Sequence, residues 1–127
     1  MYAGHEVEFL AHIMAEMTVV KDAITETDIR EHARGMQQPG GINGWVGWYR
    51  AAFDTADQVR KLGDAHAFKS PIMAYGGERG VVETCEQLRV LSQDIRGGVF
   101  AAVGHLIPEE APEKLAAHLL EFFASRP

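Results

Sequence analysis

The stretch "SPIMAYGGERGVVETCEQLRVLSQDIRGGVFAAVGH", Ser70 to His105, decides the fold. It opens on a short apolar run, "PIMAY", closed by Gly76 and Gly77 as a buried strand would be. "VETCEQLRVLSQDIRGG" follows, with Cys85, Leu88, Leu91 and Ile95 spaced for one face of an amphipathic helix. "GVFAAVGH" then reads as a second buried strand that runs out at Gly104-His105. Strand, helix and strand at these lengths make a βαβ unit with parallel strands and a right-handed crossover. Pro108 and Pro112 shape the next turn, and Glu109, Glu110 and Glu113 suit the positive end of a closing helix. Leu115, Leu119, Leu120, Phe122 and Phe123 form the apolar side of that helix. The fold class is α/β.

Upstream the rhythm is helical. In residues 4–18, Val7, Leu10, Ile13, Met14 and Met17 recur at three- and four-residue spacing, with His5, Glu8, His12 and Glu16 on the opposite face. Histidines seven residues apart stand about 10 Å apart along a helix axis, too far to share one ion. That row therefore reads as a solvated face, and no metal site is expected. Thr25 or Thr27 can cap a short helix favoured by Asp28 and Glu31, and Gly35 with Pro39-Gly40-Gly41 stops it. After Gly44, Trp45, Trp48, Tyr49, Ala52, Phe53, Ala56 and Val59 form a broad apolar stripe on one continuous helix ending near Lys61 and Gly63. The expected organisation is a helical segment over residues 1–63, a connector over 64–70 and a βαβα segment over 71–127.

Composition excludes several classes of function. The chain has 127 residues, 46% hydrophobic and 24% charged, ordinary values for a globular protein with a real core. A net charge of -6 with no basic cluster argues against nucleic acid or an anionic membrane surface as partner. The single cysteine, Cys85, cannot form an internal disulfide, which fits a reducing cytoplasm. "MYAGHEVEFLAHIMAEM" lacks the basic and continuous apolar regions of a signal peptide, and no apolar run is long enough to span a bilayer.

Parallel sheets carry their functional groups at the carboxyl ends of strands. One such end here leads into "GGERG", the other into His105. A histidine there can face a cleft and act as a general base at neutral pH, or it can be structural or simply exposed. The other histidines, His5, His12, His32, His66 and His118, fall on helix faces or in the connector and read mostly as solvated.

Residues 70–124 resemble the C-terminal end of an α/β-hydrolase of the epoxide hydrolase and haloacid or haloalkane dehalogenase group. The shared signs are a strand running into Gly-Gly, an amphipathic helix, a strand ending in Gly-His, a "PEE-PE" turn and a helix closing on Phe-Phe. "GHEVEFL", "ITETDIREHARGMQQPGG" and "WYRAAF" resemble the second part of that group's helical cap. The resemblance implies the C-terminal βαβα portion of an α/β-hydrolase sheet, preceded by a cap segment. It implies hydrolysis of a small molecule through an aspartyl ester, without metal or organic cofactor. His105 would activate the water that hydrolyses the ester. Tyr49 would hydrogen-bond the opening epoxide oxygen, or hold halide in a dehalogenase. Read without the resemblance, Tyr49 is a core aromatic. Trp45 and Trp48 would line the substrate pocket or pack between cap and core. Glu78, after the first strand, would be the acid partner of His105 or an exposed loop glutamate.

The departures define what else is expected. Neither G-x-D-x-G nor G-x-S-x-G occurs in the 127 residues, nor does His-Gly-x-Pro. The likeness begins inside the cap, so the expectation is a truncated gene, a late start, or a second polypeptide supplying a complementing N-terminal half. Two strands leave an open edge, and helix faces shaped for a larger sheet stay uncovered, so self-association, or partial disorder between the two halves, is expected. The rival reading is a non-catalytic interaction or dimerisation module.

Overall fold

The computed structural model describes residues 3–64 and 68–125. Four helices come first: α1 (Glu6–Met17), α2 (Glu26–Met36), α3 (Gly41–Arg50) and α4 (Ala52–Asp64). Then follow β1 (Ile72–Gly77), α5 (Thr84–Leu88), β2 (Ile95–Phe100), α6 (Ile107–Glu110) and α7 (Pro112–Ala124). His66, assigned to the connector, lies outside the described residues. No helix among the described residues is long and apolar enough to cross a membrane.

The helical segment gathers around Leu10, Ala33 and Met36, with Val7, Phe9, Ile29, Ile42 and Trp45 packed against them. The expected stripe of α1 does this work: Leu10 and Met14 are buried, with Val7, Ile13 and Met17 half-buried beside them. Of the two threonines that could cap α2, Thr25 does so. Its hydroxyl accepts from the Asp28 N–H at 3.3 Å, while the Asp28 carboxylate accepts from the Thr25 N–H at 2.9 Å, a reciprocal capping box. The turn from α2 into α3 is tight enough to demand glycine. A Cβ on Gly41 would stand 2.3 Å from the Gly35 carbonyl oxygen.

The helix expected to begin after Gly44 starts earlier, at Gly41, and is divided at Ala51 into α3 and α4. Its apolar stripe finds little to pack against. Trp48 is 82% exposed and Phe53 is 85% exposed. On α7, likewise, Phe122 is buried while Leu120 and Phe123 face solvent.

β1 and β2 pair in parallel, in register from Ile72 opposite Ile95 to Gly77 opposite Phe100. Both limits of β2 differ from the expectation over 98–105. At its start, Ile95 and Arg96 join the strand instead of extending the helix, so α5 is a single short turn. The cause is non-local hydrogen bonding. The Phe68 N–H donates to the Leu91 carbonyl at 3.2 Å, and the Ile72 N–H donates to the Asp94 carbonyl at 2.9 Å. Residues 91–94 thus bond across to 68–72 rather than along a helix. At its far end the strand stops at Phe100, because Ala102 adopts φ 56° in a turn. His105 stands five residues beyond the strand, on a loop.

Phe100, 1% exposed, centres the second core. Its ring stacks on Tyr75 with centroids 4.7 Å apart and planes 4° apart, and the Lys114 ammonium sits 4.6 Å above its own centroid. Burying such a side chain contributes about 2–3 kcal/mol. Ala74, Leu91, Val103 and Phe122 are the other buried apolar residues of this segment.

Candidate active site

The two strand ends approach so closely that only glycine fits between them. A Cβ on Gly77 would lie 1.7 Å from the Gly104 carbonyl oxygen, and one on Gly80 would lie 2.9 Å from the His105 Cα. The loop after β1 is laced to the loop after β2. Glu78 N–H donates to the Phe100 carbonyl at 3.0 Å, and Arg79 N–H donates to the Val103 carbonyl at 3.1 Å. A cleft of about 310 Å³ opens above this junction, lined by Tyr75, Gly76, Thr84, Gln87, His105 and Ile107 among others. The exposed His105 is the titratable side chain with general-base chemistry on that lining.

The backbone of the His105 turn is held throughout. His105 N–H donates to the Met17 carbonyl at 2.8 Å. The N–H groups on either side, from Gly104 and Leu106, donate to the Glu110 carboxylate at 3.0 and 3.3 Å. The same carboxylate accepts from Val19 N–H at 2.7 Å and Val20 N–H at 2.9 Å. Burial by itself would raise the Glu110 pKa. The hydrogen bonds from Val20, Val19, Gly104 and Leu106 outweigh it and hold the carboxyl below the ordinary carboxylate range. Glu110, expected as a helix-start charge, is instead a buried anion joining the loop after α1 to the histidine loop. Nothing in the local sequence separates it from Glu109.

The remaining predicted residues are dispersed. The Glu78 carboxylate accepts from Ala102 N–H at 2.7 Å, bracing the turn that leads to His105. Among the described residues it makes no hydrogen bond to the imidazole. Tyr49, 56% exposed, lies edge-on to Trp45 at 5.3 Å and is not among the side chains lining the His105 cleft. Trp45 packs at right angles on Phe9 at 5.4 Å, on the helical core. Trp48 borders a separate open cleft of about 780 Å³ between α4 and α5, with Ala52, Ala56, Val59, Leu88 and Val90.

His118 departs from the solvated reading. It is half-buried on α7, and its Nδ1 shares a hydrogen bond with the Tyr75 hydroxyl at 3.1 Å. Its ring lies 4.7 Å from that of Tyr75 and 5.5 Å from that of Phe100. The signal was its four-residue spacing from both Lys114 and Phe122, which puts all three on the sheet-facing side of α7.

No family model matches the sequence. A curated soluble epoxide hydrolase from Corynebacterium sp. strain C12 is 27% identical over 104 residues, 81% of this chain and 36% of that protein. Among solved structures, Cfl2 from Burkholderia cenocepacia superposes with a TM-score of 0.85 at 28% identity, over 96% of this chain and 42% of its own. The epoxide hydrolase CorEH superposes with a TM-score of 0.75 at 23% identity, over 94% of this chain and 41% of its own, a likeness of fold. The chain therefore spans well under half the length of the relatives it matches. It is similar to the epoxide-hydrolase group of the α/β-hydrolases and has the fold of the C-terminal part of that family.

Proposed function

We propose that this chain forms the histidine-bearing and cap-side part of a hydrolase active site that opens a small epoxide through an aspartyl ester. The aspartate and the oxyanion donors would come from polypeptide outside these 127 residues. The observation that carries the reading is His105: an exposed imidazole on a cleft at the carboxyl ends of two parallel strands, on a turn whose three consecutive N–H groups are all engaged. The likeness to a curated epoxide hydrolase supports ring opening over cleavage of a carbon–halogen bond.

The chemistry runs in two steps. An aspartate oxygen bonds to an epoxide carbon as the ring C–O bond breaks, and the leaving oxygen takes the phenolic proton of Tyr49. His105 then removes a proton from water, whose oxygen attacks the ester carbonyl carbon. The tetrahedral adduct collapses by breaking its acyl C–O bond, the diol leaves as an alkoxide that takes the proton of the new aspartic carboxyl group, and the imidazolium proton returns to the tyrosinate through solvent. Tyr49 must be brought over the cleft by the way cap and core close around substrate. Glu78, on the opposing strand-end loop, is the acid candidate within this chain. The scheme uses no metal or organic cofactor.

For the 127 residues by themselves we propose association, with a second copy or a complementing half. Trp48, Phe53, Leu120 and Phe123 are 82%, 85%, 72% and 61% exposed, which supports that role.

The test is to read the DNA upstream of Met1 in frame and express the longest product against a panel of terminal epoxides and haloacids. His105→Gln should accumulate a covalent adduct of substrate mass while turnover falls about a hundredfold or more. Tyr49→Phe should slow adduct formation instead. Full turnover in His105→Gln removes its role. An in-frame stop directly upstream, with no copurifying partner and no turnover, overturns the hydrolase reading in favour of association.

A further inference from the structure

We infer that Glu110 is the positioning residue of His105: its carboxylate fixes the peptide groups flanking the histidine to the loop after α1, so the helical segment sets where the imidazole stands. The inference rests on the reading of His105 as the base. The geometry supplies the rest. Glu110 is 7% exposed and receives four backbone N–H groups, two from Val19 and Val20 and two from Gly104 and Leu106. Between the latter two, His105 N–H is held by Met17, the last residue of α1. Three successive N–H groups of the turn therefore end on acceptors that lie on, or are tied to, the helical segment.

The fit leaves little room for adjustment. A Cβ on Gly104 would stand 2.3 Å from the Met17 carbonyl oxygen and 2.6 Å from Glu110 Oε1. All four partners are donors, so the site requires an acceptor at both oxygens. A carboxylate offers only acceptors, whereas glutamine, of the same shape, would turn its NH2 against N–H donors. Glu109 carries the same charge one residue earlier and lacks these contacts, which makes it the control.

In the unmodified 127-residue chain, scalar couplings across hydrogen bonds should link the amide nitrogens of Val19, Val20 and Gly104 to the Glu110 side-chain carboxyl carbon in NMR spectra. Their absence would overturn the clamp without any variant. In Glu110→Gln, amide hydrogen exchange at residues 19, 20, 104 and 106 should accelerate about tenfold to hundredfold, while the Ile72 amide keeps its protection. The His105 ring-proton chemical shifts should move at fixed pH, unlike in Glu109→Gln. Exchange unchanged within a factor of about two would overturn the clamp, and unmoved His105 ring-proton shifts would overturn the positioning role. In an active longer product, Glu110→Gln should lower kcat about tenfold or more with KM nearly constant, and Glu109→Gln should not. If His105→Gln retains turnover while the couplings and the exchange response persist, the reading of His105 as the base fails and the clamp stands.

Discussion

The strand-end junction and the α3–α4 helices are opposites. At the junction, polar backbone groups find partners at every turn, and the close approaches of Gly77, Gly80 and Gly104 leave no space for a side chain. Along α3 and α4 the backbone is satisfied locally, yet the largest side chains, Trp48 and Phe53, stand more than four-fifths exposed. The difference teaches where each region's specificity comes from. The junction is specified by this chain alone, through hydrogen bonds that span about ninety residues, from Val19 and Val20 to Glu110. The helices carry an apolar surface that the described residues leave largely exposed.

The comparison can be broken most forcefully at Phe100. Phe100→Ala should cost about 3–5 kcal/mol, because the emptied site lies between Tyr75, His118 and Lys114 and cannot easily collapse. Urea denaturation reads this directly, and a cost below about 1 kcal/mol would mean the sheet core is not the stabilising centre.

Acid gives a gentler test of the same region. The Glu110 carboxyl is held below its ordinary value of 4.5. Its stabilising contribution is therefore complete above that value and is lost as pH falls through the lower folded pKa. Wild type should lose stability over that acidic range relative to Glu110→Gln, which lacks the titration. Asp28 and Glu31 are also lowered, by hydrogen bonds from Thr25 and Arg34, but they contribute equally to both proteins. Parallel midpoint-against-pH curves would show that Glu110 does not couple folding to its proton.

The smallest effect on stability is expected on the other side of the comparison. Trp48→Ser with Phe53→Ser should change the unfolding free energy by no more than about 0.5 kcal/mol per site. Sedimentation should show weaker association in the double variant. A large loss of stability there would mean these rings are already packed.

Much of the architecture was legible because its signals are local. "PIMAY" before Gly-Gly and the apolar run in "GVFAAVGH" announce strands, and Val7, Leu10 and Met14 announce a buried helix face. What was illegible depends on distant partners. "DIRGG" fits a helix face as well as a strand, and only the Ile72–Asp94 hydrogen bond decides between them. Glu109 and Glu110 are the same residue in the same turn, yet only one meets Val19 and Val20. His105 was legible as a cleft residue from the order of elements, but its distance from the strand was not, because the left-handed turn at Ala102 leaves no mark in the sequence.

The placement of the aromatic residues has a spectroscopic consequence. Both tryptophans of the chain, Trp45 and Trp48, lie on α3, whereas the sheet segment carries Tyr75 stacked on Phe100. Tryptophan emission therefore reports on α3, and the near-ultraviolet tyrosine signal that Tyr75→Phe removes reports on the sheet. A melt followed at both signals becomes a two-channel record, and the interval between its midpoints measures how firmly the bonds at Glu110 and Met17 make the two segments unfold as one.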